Sequence, residues 1–409
     1  MLPEDMALFR HIEKTFGDSC RKWGYQEIRT PVLEYLHLFT AAGTLTPAKL
    51  GQAYSFLDWD GWSGERVVLR PDSTIPAARL FIDSLGAADQ WRLYYVQNVF
   101  SFESTGRDSR EKWQCGCEFI GGKAPVADAE IIFMAAGILK TLGIKDLEIQ
   151  LSHAGLIRAL LGEIEPDVTR QAELFDRILD GNAGDLKLDN GSGSGLGKAI
   201  NLILSYSGQA EGFLKNLRSV TLSSIPALKQ PLDDFTAVAE LLTPLNGKFK
   251  INVASGRGFE YYTGFMAQFV SGGMRIGGGG RYDDLVSLIG GAKAPACGYA
   301  LYLDRLAELV KLPVSAHDRT VAIVTGASQS LVRGGFALAQ SLRDSGFAAV
   351  IESTADRIPA DTYFTVSLAE EGGEPSYTLS EKGKKPVKKL GSAERVTGEM
   401  VNRVKASSA

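Results

Sequence analysis

Three short stretches carry polar groups in patterns that could hold a small charged ligand. In WQCGCEF, residues 113 to 119, the period-two alternation of a strand puts Gln114, Gly116 and Glu118 on one face. A glycine between an amide and a carboxylate lets a ligand lie close to the backbone. The same pattern also suits an exposed polar face of an antiparallel sheet. In GRGFEYYTGF, residues 256 to 265, alternation puts Gly256, Gly258, Glu260 and Tyr262 on one face and Arg257, Phe259 and Tyr261 on the other. Arg257 could take a ligand carboxylate and a tyrosine could meet a ring nitrogen. Core packing beside a surface cation is the plainer alternative. VVLRPDST, residues 67 to 74, adds the carboxylate of Asp72 just past a strand and a proline. Each signal alone is weak. Together they describe a pocket for a zwitterion with a polar ring: carboxylates for its ammonium, a cation for its carboxylate.

A fourth stretch is defined by what it lacks. NVFSFESTG, residues 98 to 106, reads as a strand with Phe100 and Phe102 on one side and Ser101 and Glu103 on the other. No cation accompanies the Glu103 face. Two glycine-rich segments fail as nucleotide loops. GSGSGLGK at 191 to 198 has Ser192 where a phosphate loop needs glycine, and Ala199 follows its lysine. AIVTGASQSLVRGG lacks the later glycines of a dinucleotide fingerprint, carrying Ser330 and Val332 instead.

The elements that must position these residues follow from periodicity and punctuation. The opening 23 residues after Leu2 place Met6, Phe9, Ile12 and Phe16 at helical spacing and stop near Gly24. QEIRTPVLEY predicts a short strand ended by Pro31; 66 to 70 and 92 to 103 predict strands, and 113 to 121 the return of a hairpin. Helical pattern covers 128 to 142 and 155 to 220, the latter interrupted by the loop-like segment 181 to 197. Strands return at 249 to 254 and 259 to 270. GGGGRYDDLVSLIG then turns into a helix, and ACGYALYLDRLAELV reads as a buried strand or a strand–helix element. After KLPVSAHD a new unit begins with strand TVAIVTG, helix 329 to 345 and strand FAAVIES. Strands mixed with helices without strict alternation predict an α+β fold with an antiparallel core, followed by a small C-terminal α/β domain.

Composition narrows the classes. A chain of 409 residues that is 44% hydrophobic can build two or three domains with real cores. The net charge of −4, with both signs interspersed, gives no basic footprint for a nucleic acid. The one basic run, EKGKKPVKK at 381 to 389, reads as a solvated tail. The four cysteines (20, 115, 117, 297) contain no CxxC pair, so no metal site is expected, and the CGC at 115 to 117 reads as buried strand packing. No apolar run is long enough to cross a membrane and the N-terminus is acidic, which predicts a cytoplasmic chain.

YQEIRTPVLE, LRPDST, NVFSFE…QCGCEFIG, RGFEYYTG, GGGGRYDDL and CGYALYLDRL occur in the order and spacing of histidyl-tRNA synthetase, a class II synthetase. The resemblance covers residues 1 to about 310, with a weaker echo of the anticodon-binding domain to about 390. It implies a synthetase-like domain over 1–315 with a helical insertion near 155–245, and a small domain and tail over 318–409. It maps a histidine pocket onto Asp72, Gln114, Glu118, Arg257, Tyr261, Tyr262 and Tyr282, with Asp72 standing where the synthetases usually carry the longer glutamate. The ATP side departs from the family. Ser101 replaces the arginine that grips the α-phosphate, leaving Glu103 without it. Trp113 is the one candidate to stack on adenine, Tyr302 replaces a glycine, and the closing Arg305 is left with a structural role. Between VIESTADRIPADTY and FTVS there is no room for the further helix of an anticodon domain.

A retained histidine pocket beside a lost adenylation site resembles the ATP phosphoribosyltransferase regulatory subunits of histidine biosynthesis. That resemblance implies a non-catalytic homodimer that assembles with a short catalytic subunit, activates it and confers feedback by L-histidine, with no cofactor, no specific nucleic acid and no membrane. Histidine–tRNA ligase is the alternative, and another synthetase paralogue the third reading. The dimer is expected through the first helix and YQEIRTPVLEY.

Overall fold

The computed structural model describes residues 1–45, 50–59, 64–85, 90–102, 106, 109–179, 207–209, 214, 216–218, 225–245, 249–253, 261–312, 320–360, 362–372, 374–383 and 387–407. It divides into two compact units, Met1–Lys311 and Leu312–Ala409.

The first unit runs α1 (Pro3–Lys22), β1 (Gln26–Glu27), β2 (Leu33–Tyr35), α2 (Leu36–Ala41), β3 (Ser55–Trp59), β4 (Gly64–Leu69), α3 (Thr74–Leu80), β5 (Trp91–Phe100), β6 (Glu111–Ile120) and α4 (Val126–Thr141). It continues with β7 (Leu147–His153), α5 (Ala154–Ile164), α6 (Val168–Leu179), β8 (Ser207–Gln209), α7 (Lys229–Leu241), β9 (Phe249–Asn252), β10 (Phe265–Ser271), β11 (Met274–Arg281), α8 (Leu285–Leu288), β12 (Ala296–Tyr302) and α9 (Leu303–Leu309). The main sheet has the order β1-β5-β6-β12-β11-β10-β7-β9-β8. Its central ladders are antiparallel; only β1–β5 and β7–β9 are parallel. The α+β reading is the observed architecture. Helices α1 and α4 cover one face: Phe9, Ile12 and Phe16 of α1 and Ile131, Ile132 and Leu139 of α4 are buried with Cys115, Cys117 and Cys297 of the strands. Cys20 on α1 meets Cys117 with sulfurs 3.4 Å apart, so the CGC is packing, as its alternation predicted.

Several elements differ from expectation, each for a local reason. QEIRTPVLEY is two strands in two sheets. β1 pairs with β5, β2 pairs with β4, and Pro31 lies at the crossing, where it cannot donate to either ladder. Arg70 locks that crossing, donating to the Thr30 carbonyl at 2.9 Å, the Pro31 carbonyl at 3.1 Å, Gln97 Oε1 at 2.7 Å and the Asn98 carbonyl at 2.7 Å. Strand β5 stops at Phe100 rather than 103. Ser101 N–H makes one last bond to Arg110, after which Phe102 N–H turns away to the Gln52 carbonyl at 2.7 Å. The segment expected as a strand from 259 begins at Phe265. Thr263 N–H donates to the Arg281 carbonyl at 2.8 Å, folding residues 261–264 into a turn. Within 155–220, residues 207–209 form a strand against β9. The four glycines of GGGGRYDDL are strand, and the helix after them is a single turn.

The second unit comprises β13 (Thr320–Val324), α10 (Gln329–Asp344), β14 (Ala348–Glu352), β15 (Phe364–Glu371), β16 (Glu374–Glu381), β17 (Val387–Leu390) and α11 (Ala393–Ser407), with sheet order β14-β13-β15-β16-β17. Between β14 and β15 the described residues hold one short 3-10 turn, Ala355–Arg357, in the space judged too short for a helix. The basic run is not a tail: Glu381 ends β16 and Val387 opens β17, so the run bridges a hairpin. Glu381 is fixed by Tyr363 at 3.2 Å and Arg403 at 2.9 Å. Helix α11 closes the unit by burying Val396 and Met400.

Candidate functional site

The register of the main sheet builds the site. Gln114, Gly116 and Glu118 of β6 lie opposite Tyr302, Ala300 and Gly298 of β12, and Ala300 and Gly298 lie opposite Gly278 and Gly280 of β11. Small residues on β11 and β12 therefore form a floor, and side chains from the flanks fold over it. A Cβ on Gly298 would come within 2.0 Å of Glu118 Oε2, and one on Gly116 within 2.3 Å of the Tyr95 ring. These glycines are required by close approach, not by a turn.

Glu118 is 1% exposed and forms no ion pair with a described residue. Tyr95 donates to one of its oxygens at 2.9 Å and Tyr282 to the other in a short bond. Burial pushes its carboxyl up to about 8, against the opposing pull of those hydroxyls and Thr74. Asp72 opens α3 and accepts the Ile75 N–H at 3.0 Å. Burial raises it to about 6, and its charge acts on Glu118, Tyr95, Tyr261 and Tyr262. Tyr261 packs edge-on against Tyr262 at 5.4 Å and Tyr282 at 5.6 Å. Tyr282 follows Arg281, whose guanidinium is pinned by Asp128 at 2.8 Å, Asp283 at 2.8 Å and the Gly122 carbonyl at 3.1 Å. The structure thus brings Asp72, Glu118, Tyr261, Tyr262 and Tyr282 together, with Gln114 buried two residues from Gly116 on the same strand face. Arg257, and with it the alternation drawn over 256 to 260, lies outside the described residues, as do Glu103 and the two loop segments at 181 to 198.

Two carboxyls buried together, one of them accepting from two phenol hydroxyls, are chemically suited to a positive charge. Burial raises both carboxyls by opposing their charge, and a bound ammonium would favour the charged forms. Tyr95 and Thr74 were not singled out in the sequence; pairing Tyr95 with Gly116 across the hairpin is the signal that finds the former.

The hairpin end is built differently. Ser101 is held through its backbone at the frayed end of β5. The Trp113 ring packs against α1. The residue lies on the opposite face from Gln114, with its ring edge-on to Phe9 of α1 at 4.9 Å and its backbone N–H donated to an Asp304 carboxylate oxygen at 2.8 Å. The Tyr302 ring lies on the floor's side beneath Arg275, whose guanidinium carbon is 5.7 Å from the ring centre. Arg305 is half-exposed and pairs with Glu308 at 3.1 Å on its own helix. Among the described residues no group of His, Cys, Asp and Glu is placed to hold a metal, and no helix is long and apolar enough to cross a membrane.

Comparison with known proteins agrees with this geometry. Residues 1–306 match the family model described as histidyl-tRNA synthetase. A protein of Dehalococcoides mccartyi named ATP phosphoribosyltransferase regulatory subunit is 50% identical over 310 residues, covering 76% of this chain and 75% of its own. A histidine–tRNA ligase of Archaeoglobus fulgidus is 31% identical over 362 residues, covering 86% of this chain and 83% of its own. The crystal structure of a Bacillus halodurans ATP phosphoribosyltransferase regulatory subunit/histidyl-tRNA synthetase superposes with a TM-score of 0.74 at 26% identity, over 88% of this chain and 92% of that one. The chain belongs to the histidyl-tRNA synthetase family and, within it, to the ATP phosphoribosyltransferase regulatory subunits.

Proposed function

We propose that the chain is the non-catalytic regulatory subunit of an ATP phosphoribosyltransferase, acting in the first step of histidine biosynthesis by activating a short catalytic subunit and relaying inhibition by L-histidine. The observation that carries this reading is the buried Glu118–Asp72 pair with its tyrosines intact, set on the same sheet as a hairpin end that offers Ser101 where adenylation chemistry needs a cation. A site that can hold histidine but has no group to grip a phosphate at Ser101 is suited to sensing it. A sensor changes its partner only through unequal affinity for two states of the complex, so histidine binds the inhibited state more tightly. Asp72 and Glu118 receive the ammonium, and Tyr262 with Tyr282 orient the imidazole.

Histidine–tRNA ligase is the second reading, and its relatives, near 31% identity, are more distant than the regulatory subunits near 50%. Histidine-dependent ATP–pyrophosphate exchange by the purified chain separates the two. Exchange at background, together with histidine-sensitive stimulation of the catalytic subunit, is expected. Robust exchange would sink the regulatory reading.

The regulatory chain works as a homodimer within a hetero-oligomer, binding no specific nucleic acid. Val32, Leu33 and Tyr35 around β2 are 38%, 47% and 46% exposed, an apolar stretch that supports pairing through this segment and α1. A monomer by light scattering at micromolar concentration would count against it.

A further inference from the structure

Arg70 brings a positive charge to the edge of the site without an ion pair among the described residues. It is 3% exposed and lies along β5 beyond the point where β1 stops pairing with that strand. Its hydrogen bonds end on neutral oxygens: the Thr30 carbonyl and hydroxyl, the Pro31 carbonyl, the Gln97 side chain and both oxygens of Asn98. Glu34, the acid whose charge acts on it, is itself tied to Arg79 at 2.8 Å.

Gln97 stands between that charge and the floor of small residues. Alternation puts it on the face of Tyr95, and it pairs with Gln114 across the hairpin as Tyr95 pairs with Gly116. Its Oε1 accepts from Arg70 at 2.7 Å and from Thr30 at 2.9 Å. An arginine has only donors, so the oxygen must face it and the amide cannot be turned round. That leaves Nε2 with its two hydrogens directed away from Arg70. Nε2 has no hydrogen-bond partner, although Gln97 is 2% exposed. Leaving a buried donor unpaired is costly, and a guanidinium pulling on the carbonyl end makes the amide hydrogens better donors. Such a group suits an anion. The Gln97–Gln114 rung lies four residues, about 13 Å, from the rung of Glu118, with Gly116 between them. Across β12, Tyr302 pairs with Gln114 and closes the other side of this rung.

We propose that Gln97, polarised by Arg70 behind it, is a specificity-determining residue of this site that donates to the carboxylate of the bound amino acid. The inference rests on the reading of the pocket as a histidine site and adds what holds the ligand end nearest Ser101. The carboxylate meets Gln97, and the rest of the molecule extends over Gly116 towards the Glu118 cluster. A structural role competes with this one. By accepting from Arg70 and Thr30, Gln97 also braces the crossing at Pro31, and that brace alone would account for its burial.

Calorimetric titration of the full chain with L-histidine and with histamine, which lacks the carboxylate, decides between them. Gln97→Glu keeps an acceptor for Arg70 and Thr30 but removes both donors, so Tm should stay near wild type. It should weaken L-histidine roughly 10- to 100-fold, as expected for one charge-assisted bond, and leave histamine as tight as before or tighter. Gln97→Met, uncharged and without donors, should show the same selective loss even though Arg70 loses an acceptor and Tm falls. Equal losses for the two ligands in both variants would make Gln97 a brace and overturn the proposal. Unchanged L-histidine affinity in Gln97→Glu would overturn it too, assigning the carboxylate to another residue; the histidine reading would survive either result. A wild-type chain that binds neither ligand would overturn the proposal and the histidine reading together.

Discussion

The two ends of the β5–β6 hairpin differ in what fixes their side chains. At the Glu118 end, neighbouring strands contribute glycine, and large polar side chains lie flat across the gap with hydrogen bonds satisfied between them. At the Ser101 end, the ladder is finishing; Asn98 donates to Glu111 at 2.7 Å, and Arg110 lies 5.9 Å from the Phe102 ring. One end buries its carboxyls among hydrogen-bonded tyrosines, an unfavourable burial of acid. The other keeps only what a hairpin needs. Burying two carboxyls costs stability, and a chain retains such a cost where a ligand offsets it.

The sharpest way to break this contrast is Glu118→Gln. The amide keeps an acceptor for Tyr95 and Tyr282 but cannot hold an ammonium. Histidine affinity should fall about 100-fold, on the order of 3 kcal/mol for a lost buried ion pair. The ligand-free fold should match wild type only below about pH 4.5, where Glu118 is protonated both folded and unfolded, and should be increasingly more stable than wild type as pH rises towards 8. Calorimetry and thermal unfolding check both halves. A variant that binds histidine normally would show that the pocket is a relic and that sensing occurs elsewhere in the complex.

Proton linkage is the next largest effect. Glu118 is raised from 4.5 to about 8 and Asp72 from 3.8 to about 6, both chiefly by burial. An acid whose folded acidity is weakened binds more protons folded than unfolded. It therefore favours the fold below its ordinary value, and that contribution is lost as pH rises through the folded value. The free chain should lose stability between about pH 4 and 8 through these two groups. An ammonium entering the pocket needs the carboxylate charged, so histidine should bind more tightly as pH rises from 6 to 8, up to roughly tenfold per unit, and expel a proton. Titration in buffers of different ionisation heat measures that proton. No proton release would refute the linkage, and a pH slope that persists in Glu118→Gln would assign it to the imidazole.

How much of this was legible in the sequence follows the range of each signal. Period-two alternation placed Gln114, Gly116 and Glu118 on one face, because a strand interior obeys it rigidly. Alternation failed at strand ends. It carried β5 past Phe100, where a bond from Phe102 to Gln52 pulls the chain aside, and it separated Tyr261 from Tyr262, where a turn against Arg281 buries both. Tyr95 required the hairpin register and Arg275 required a bulge, and neither is written in local spacing. The basic run misled for a similar reason: charge suggested a tail, but the pairing of Leu379 with Val387 that makes a hairpin of it is a long-range fact. Resemblance supplied the residues of the pocket; the floor of glycines explains why they can converge.

The smallest expected effect tests whether the Ser101 end is the sole reason for the missing chemistry. Ser101→Arg returns a guanidinium to the position where the resemblance expects one. The site is partly exposed and at a strand terminus, so stability should change by no more than about 0.5 kcal/mol. Glu111 is available as a partner and Arg110 as a like-charged neighbour, which largely cancel at an exposed site. Histidine affinity should stay within about twofold, because the Glu118 cluster makes no contact that depends on Ser101. ATP–pyrophosphate exchange should remain at background. The Tyr302 ring still occupies the floor where a glycine would leave space, Arg275 lies over it at 5.7 Å, and Trp113 still faces α1 rather than the ligand side. Exchange appearing in the single variant would mean that the nucleotide side is whole apart from one cation, and the two ends of the hairpin would then differ by a residue rather than by design. Exchange appearing only when Ser101→Arg is combined with Tyr302→Gly would place the loss on the floor as much as on the strand end, and would sharpen the contrast to those two positions.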